Sequence, residues 1–246
     1  MFNFSFDKKY LYIILGIMIL STIASYATQE GALLGLLLTI PGVLIAITFH
    51  EFAHAFAADK LGDDTPRREG RLSLNPIDHL DPIGSVLLLF AGIGWGKPVH
   101  VNPRNYTRNM TMEKADAIVS IAGPIMNFLL AIIFTLIYCA IYKFADVSFM
   151  ISTYGSVIIT IIYTTVIINI GLGVFNLIPL PPLDGSKAIR PILPYKIKEW
   201  FDRNEKIFYL IFLAIWITGI AGNIISPAIN WIGRSILNLG TIIFRL

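Results

Sequence analysis

Long apolar runs recur along this 246-residue chain and limit its possible folds more than any other feature. A bilayer core about 30 Å thick is crossed by roughly 20 helical residues, and within lipid only a helix or a closed barrel satisfies its own backbone hydrogen bonds. Five runs of helical length stand out, at residues 10–27, 31–58, 115–142, 154–178 and 207–225. A further stretch after Pro227, reaching residue 243, holds Arg234 and two asparagines, and it reads either as a sixth span or as a helix lying in the interface. One soluble domain cannot bury this much apolar surface: 55% of the residues are apolar and 14% charged, where soluble domains average about 25% charged. The expectation is an all-α polytopic membrane protein with five to six transmembrane helices, forming a single integral-membrane domain over residues 1–246.

The first run follows Lys8 and Lys9, and it is longer than the roughly 7–15 apolar residues of a signal peptide, so it is expected to remain as an uncleaved span. Lys and Arg are retained on the cytoplasmic side, so their distribution orients the rest. Sixteen of them fall in the N-terminal segment, in the connection after the second run and in the connection after the fourth, against Lys143 alone in the connection after the third. This alternation fits five crossings of the cell membrane with the N-terminus in the cytoplasm and both long polar connections on that side. The formal charge of +3 comes with no basic, aromatic-interleaved stripe, which excludes a nucleic-acid binder. Cys139, the single cysteine, sits inside an apolar run and reads as a packing residue, so a disulfide scaffold is excluded as well.

Within the first long connection, residues 84–93 form an apolar piece too short to span, followed by Gly94-Trp95-Gly96-Lys97-Pro98-Val99. A re-entrant or β-hairpin-like loop between the second and third spans is expected there.

Ionisable groups inside a span are costly and usually functional. Glu51 is the acidic residue well inside a predicted span, and it arrives as His50-Glu51-Phe52-Ala53-His54, an H-E-x-x-H pattern. On a helix the two histidines lie about 40° apart and one turn apart in height, so both imidazoles reach one metal ion, with Glu51 beside them to take a proton from its water. A catalytic zinc usually has three protein ligands and an open position. The third candidate is Asp184, which follows the fourth span where Pro179, Pro181 and Pro182 break the helix and approaches from the same membrane side as His54. The metal is therefore expected within the bilayer, near its cytoplasmic face. In the third span, Gly123-Pro124-Ile125-Met126-Asn127 places an asparagine roughly 16 Å from Asp116, at a depth comparable with His50. Asn127 reads either as an interhelical hydrogen-bonding residue beside a proline kink, with Gly123 a close-packing position, or as an amide that grips substrate.

These motifs resemble, in order and in membrane context, the three signatures of the site-2 protease family of intramembrane zinc metalloproteases. The stretches 70–76 and 94–99 are similar to its compact prokaryotic branch without a PDZ domain, and the likeness covers roughly residues 42–190; His100 departs from it, standing where a proline is expected. The resemblance implies one zinc ion held by His50, His54 and Asp184, Glu51 as general base, and cleavage of a transmembrane protein substrate inside the membrane. The catalytic core is then about 31–190, with 10–27 and 207–246 as flanking spans. Asn127, Gly123, Pro124, Trp95 and Lys97 are the expected substrate-binding residues, and His79 and His100 read as ordinary loop residues. Two readings from other classes are a divalent-metal transporter and a non-catalytic zinc-binding scaffold.

Overall fold

Helix α1 (Ala32–Lys60) starts after Gly31, whose φ of 78° suits a residue without a side chain, and ends where Gly62 turns the chain at φ 109°. The computed structural model describes residues 31–85, 96–107, 109–217 and 220–246, with scattered positions before residue 31. Helix α2 (Met112–Phe144) is capped by Thr111, whose side chain accepts from Lys114 N, and it carries Pro124 within its length. Helix α3 (Thr153–Asn176) is capped by Ser152 and stops just ahead of the proline-rich turn. The chain continues through α4 (Asp184–Ala188), α5 (Tyr195–Arg203), α6 (Glu205–Ile217) and α7 (Ile220–Phe244).

Among the described residues, α1, α2 and α3 are the helices long and apolar enough to cross a membrane. Their contacts fix direction. Ala58 and Leu61 at the end of α1 cluster with Ala115 and Val119 at the start of α2, so these two run antiparallel. Gly42 of α1 packs against Thr165 of α3, and Thr164 reaches Leu38 O; four residues further along each helix, Ala46 and Asn169 meet through Asn127, so α1 and α3 run parallel. The outer face of α2 exposes Ile118, Ile121, Ile125, Leu129, Ile133 and Ile137 at helical spacing, while Ser120, Asn127 and Thr135 are buried. Polar inside and apolar outside is the pattern a lipid solvent selects.

The chain is all-helical in its long elements, and of the five to six expected spans three are found among the described residues, while the run at 10–27 lies largely outside them. The run at 207–225 falls on α6, described to Ile217, and on the first residues of α7, described from Ile220, with 218–219 outside the described residues; Pro227 lies inside α7 rather than before it. A proline removes a single N–H, which a packed membrane helix tolerates. Helix α7 lies along α2 and α3: Ile229, Ile232 and Ile236 pack on the cluster of Ala131, Val166 and Ile170, and the Phe244 ring sits 6.1 Å from that of Phe144. Most of the expected re-entrant piece, including Gly94 and Trp95, lies outside the described residues. What is described is one antiparallel bridge, Leu80 to Gly96, with Lys97 N donating to His79 O at 2.7 Å.

The segment leaving that bridge is tied back to α1. Buried Asp63 accepts from Thr65 Oγ1 and Asn102 N, each at 2.6 Å, and from Asn105 Nδ2 at 2.9 Å. Burial raises its carboxyl, but these hydrogen bonds outweigh it and hold the group below the ordinary carboxylate value.

Candidate metal centre

The H-E-x-x-H motif lies on α1, with His50 5% and His54 8% exposed. The proline-rich turn after α3 carries Asp184 back over the helix ends. The structure brings the three side chains together: Asp184 Oδ2 is 3.1 Å from His50 Nε2 and 3.2 Å from His54 Nε2, and the two Nε2 atoms are 3.0 Å apart. Among the described residues these three form the group able to hold a metal ion.

Hydrogen bonds behind the rings settle which nitrogens face the centre. Thr165 O is an acceptor, so the Asn169 atom 2.9 Å away is its amide nitrogen and the Asn169 oxygen must accept. Asn127 therefore donates to Asn169 Oδ1 at 3.0 Å and to Ala46 O at 3.1 Å. Its own oxygen is left to accept, and His50 Nδ1 at 2.6 Å carries the hydrogen. His54 Nδ1 likewise donates to Val119 O at 2.7 Å. Neutral imidazoles in this tautomer present the Nε2 lone pairs of both rings to a carboxylate oxygen. Three converging lone pairs repel one another unless positive charge lies between them. A proton joins two of the three, whereas an ion joins all. Ligands about 2.0–2.1 Å from a tetrahedral zinc stand roughly 3.3 Å apart, close to the spacing found, so the donor set fits zinc.

Gly123 provides a second test of fit. A Cβ built on it would fall 2.5 Å from His54 Nε2 and 2.7 Å from His50 Nε2, so the facing helix leaves the front of the imidazoles clear. Pro124, next to it, is buried in α2. Glu51 stands beside the trio, with Oε2 accepting from Val99 N at 3.1 Å.

Asn127 was a candidate for gripping substrate. In the structure it is fully buried behind His50 and its amide is fully used by His50, Ala46 and Asn169. Lys97 is exposed, and Trp95 falls outside the described residues. His79 is completely buried, with Nε2 2.6 Å from Ser73 O, and is no free loop residue. Asn169 and Val119 escaped the sequence reading. An asparagine in the middle of an uncharged helix was a usable signal for the first, whereas the second acts through its backbone and leaves no mark in sequence.

Residues 100–219 match the family profile described as Peptidase family M50, a match that takes in Asn127 and Asp184 and begins after the histidine motif. Among similar proteins, Putative zinc metalloprotease YwhC of Bacillus subtilis is 37% identical over 205 residues, which is 82% of this chain and 90% of that protein. The protein named Putative zinc metalloprotease Rip2 is 30% identical in Mycolicibacterium smegmatis, across 79% of this chain and 69% of the relative. The one in Mycobacterium tuberculosis is 31% identical, across 80% and 73%. No solved structure matches the chain.

Proposed function

Since the chain belongs to peptidase family M50, the site-2 protease family, we propose that this zinc metalloprotease cuts a peptide bond within or near a transmembrane segment of another membrane protein. The observation that carries this reading is the convergence of His50, His54 and Asp184 beside Glu51, inside a bundle whose outer face is apolar. His50 and His54 would hold the ion through Nε2 and Asp184 through a carboxylate oxygen, one ion per chain. Bound there, zinc supplies Lewis acidity to a water molecule and to a carbonyl. Asn127 and Val119 O keep both imidazoles in the ligating tautomer. Glu51 has Oε2 occupied by Val99 N, so Oε1 takes the proton from water as it attacks the scissile carbonyl and returns it to the leaving amine. With five crossings and a cytoplasmic N-terminus, the site lies in the plasma membrane toward the cytoplasm, about 15 Å from the end of α1 at His50.

A helical peptide bond is shielded by its own hydrogen bonds, so the substrate must unwind before it is cut. The probe is a single transmembrane helix carrying a glycine-rich segment, reconstituted with the enzyme in vesicles. Wild type is expected to cut it. Glu51→Gln is expected to keep zinc and lose about 10²- to 10⁴-fold in rate, and Asp184→Asn to lose zinc. Replacing the glycines by leucine is expected to slow cleavage. Undiminished cleavage by Glu51→Gln would remove Glu51 as the base, and a zinc-loaded wild type that cuts nothing would overturn the reading in favour of a transporter or scaffold.

A further inference from the structure

Arg71 is 4% exposed, and its hydrogen-bond partners among the described residues are two backbone carbonyls, Asp78 O and, at 3.5 Å, Pro98 O. A guanidinium taken out of water without a carboxylate is costly unless its charge is used. The closer contact is to Asp78 O, and the longer one reaches toward the metal centre. Pro98 O and Val99 N belong to one peptide unit, and that N–H donates to Glu51 Oε2 at 3.1 Å. The peptide plane therefore stands between a buried cation and the carboxylate at the centre, its oxygen toward Arg71 and its hydrogen toward Glu51. Peptide dipoles aligned in this way polarise and strengthen one another in a low-dielectric interior.

We propose that Arg71 is a positioning residue for the reaction: it fixes the Pro98–Val99 peptide so that the Val99 N–H holds one Glu51 oxygen and leaves the other free for proton transfer. This inference rests on Glu51 as the base. The surroundings agree with a built device. Lys97 N is held by His79 O, and Leu80 pairs with Gly96, so the chain on the N-terminal side of Pro98 is anchored. On its far side Asp63 holds Asn102 N at 2.6 Å. Between these anchors Arg71 provides the side-chain contact to the peptide facing Glu51. Gly96 completes the fit, since a Cβ there would meet Ile47 Cγ2 at 2.9 Å and Glu51 Oε1 at 3.4 Å.

The test uses the full chain, zinc-loaded in lipid nanodiscs, with the single-helix substrate described above. Arg71→Gln is expected to lower kcat about 10- to 100-fold with KM within about twofold and zinc content unchanged, the signature of a misplaced base. It is also expected to speed deuterium exchange in the peptide containing Val99 by about tenfold or more. Arg71→Lys keeps the charge and reaches one carbonyl, so it is expected to recover part of both effects, and it keeps the test decisive should the glutamine variant fail to fold. Arg67→Gln, at an exposed arginine paired with Asp59, is the control expected to change neither. Val99 exchange as slow as wild type in the Arg71 variants overturns the proposal, as does a rate loss that comes with loss of zinc. A wild type that binds zinc and cuts nothing defeats the functional reading alone, and the exchange measurement still decides whether Arg71 holds the peptide.

Discussion

Gly123 opposes two effects of one methyl group. In a helix interior, glycine to alanine is worth about 1 kcal/mol of added helix stability. At this position the same methyl would lie 2.5 Å from His54 Nε2 and 2.7 Å from His50 Cε1, in the space the ion needs. Gly123→Ala is therefore expected to bind zinc at least about tenfold more weakly while its metal-free thermal unfolding stays the same or rises, because imidazoles pushed apart lose ligand geometry before the bundle loses packing. Metal content and unfolding temperature measured together check this, and a variant that keeps full zinc would reduce Gly123 to a packing position. Sequence spacing was enough to place His50, Glu51 and His54, because one helical turn sets their mutual geometry. It left Gly123 and Asn127 between a helix-packing and a substrate-facing reading, because which face of α2 meets the histidines depends on the register between two helices 77 residues apart in the chain at the His50–Asn127 contact. Asp184 was legible for a different reason: three prolines force a turn at the end of α3, and the parallel course of α1 and α3 leaves both ends on one side.

At the scale of elements, α7 is where the sequence was ambiguous. Arg234 and three asparagines lower its apolar character, and a proline early in the helix mimics a boundary. Its place is decided by small-residue contact, which composition does not record. Gly240 approaches α2 so closely that a Cβ would lie 2.7 Å from Cys139 Sγ and 3.1 Å from Thr135 Cγ2. Lipid tails are as apolar as leucine, so such close approach, rather than hydrophobic burial, holds helices together in a bilayer. Gly240→Ala is expected to destabilise the protein by about 1–3 kcal/mol through overpacking. Adding Cys139→Ala removes the sulfur and is expected to restore most of that loss. Zinc content is expected to stay at wild type in both, since Thr135 lies two turns beyond Asn127 along α2. Thermal unfolding of the two variants in detergent checks the pair; an unchanged Gly240→Ala would mean that α7 is free to shift away.

For the whole molecule, the helix directions and the charge distribution are separate constraints that have to agree. The contacts alone make α1 and α3 parallel, α2 antiparallel to them, and α7 end beside the end of α2, where Lys143 Nζ reaches Arg245 O at 3.4 Å. On the charge distribution alone, the start of α2 and the segment after α3 are expected in the cytoplasm. Together they send residues 145–152 and the end of α7 to the opposite face from α5. Val147, 75% exposed, and Tyr195, 77% exposed, mark the two faces. In a Cys139→Ala background, a membrane-impermeant thiol reagent on intact cells is expected to label Val147→Cys and Leu246→Cys at once, and Tyr195→Cys after permeabilisation. Labelling of Tyr195→Cys in intact cells would invert the molecule and move the candidate metal centre to the outer face, where the substrate, its approach and the side receiving the product would all have to be read again. Labelling of Val147→Cys without Leu246→Cys would break the parallel course of α2 and α7, because the contact at Lys143 requires both ends to emerge on one side.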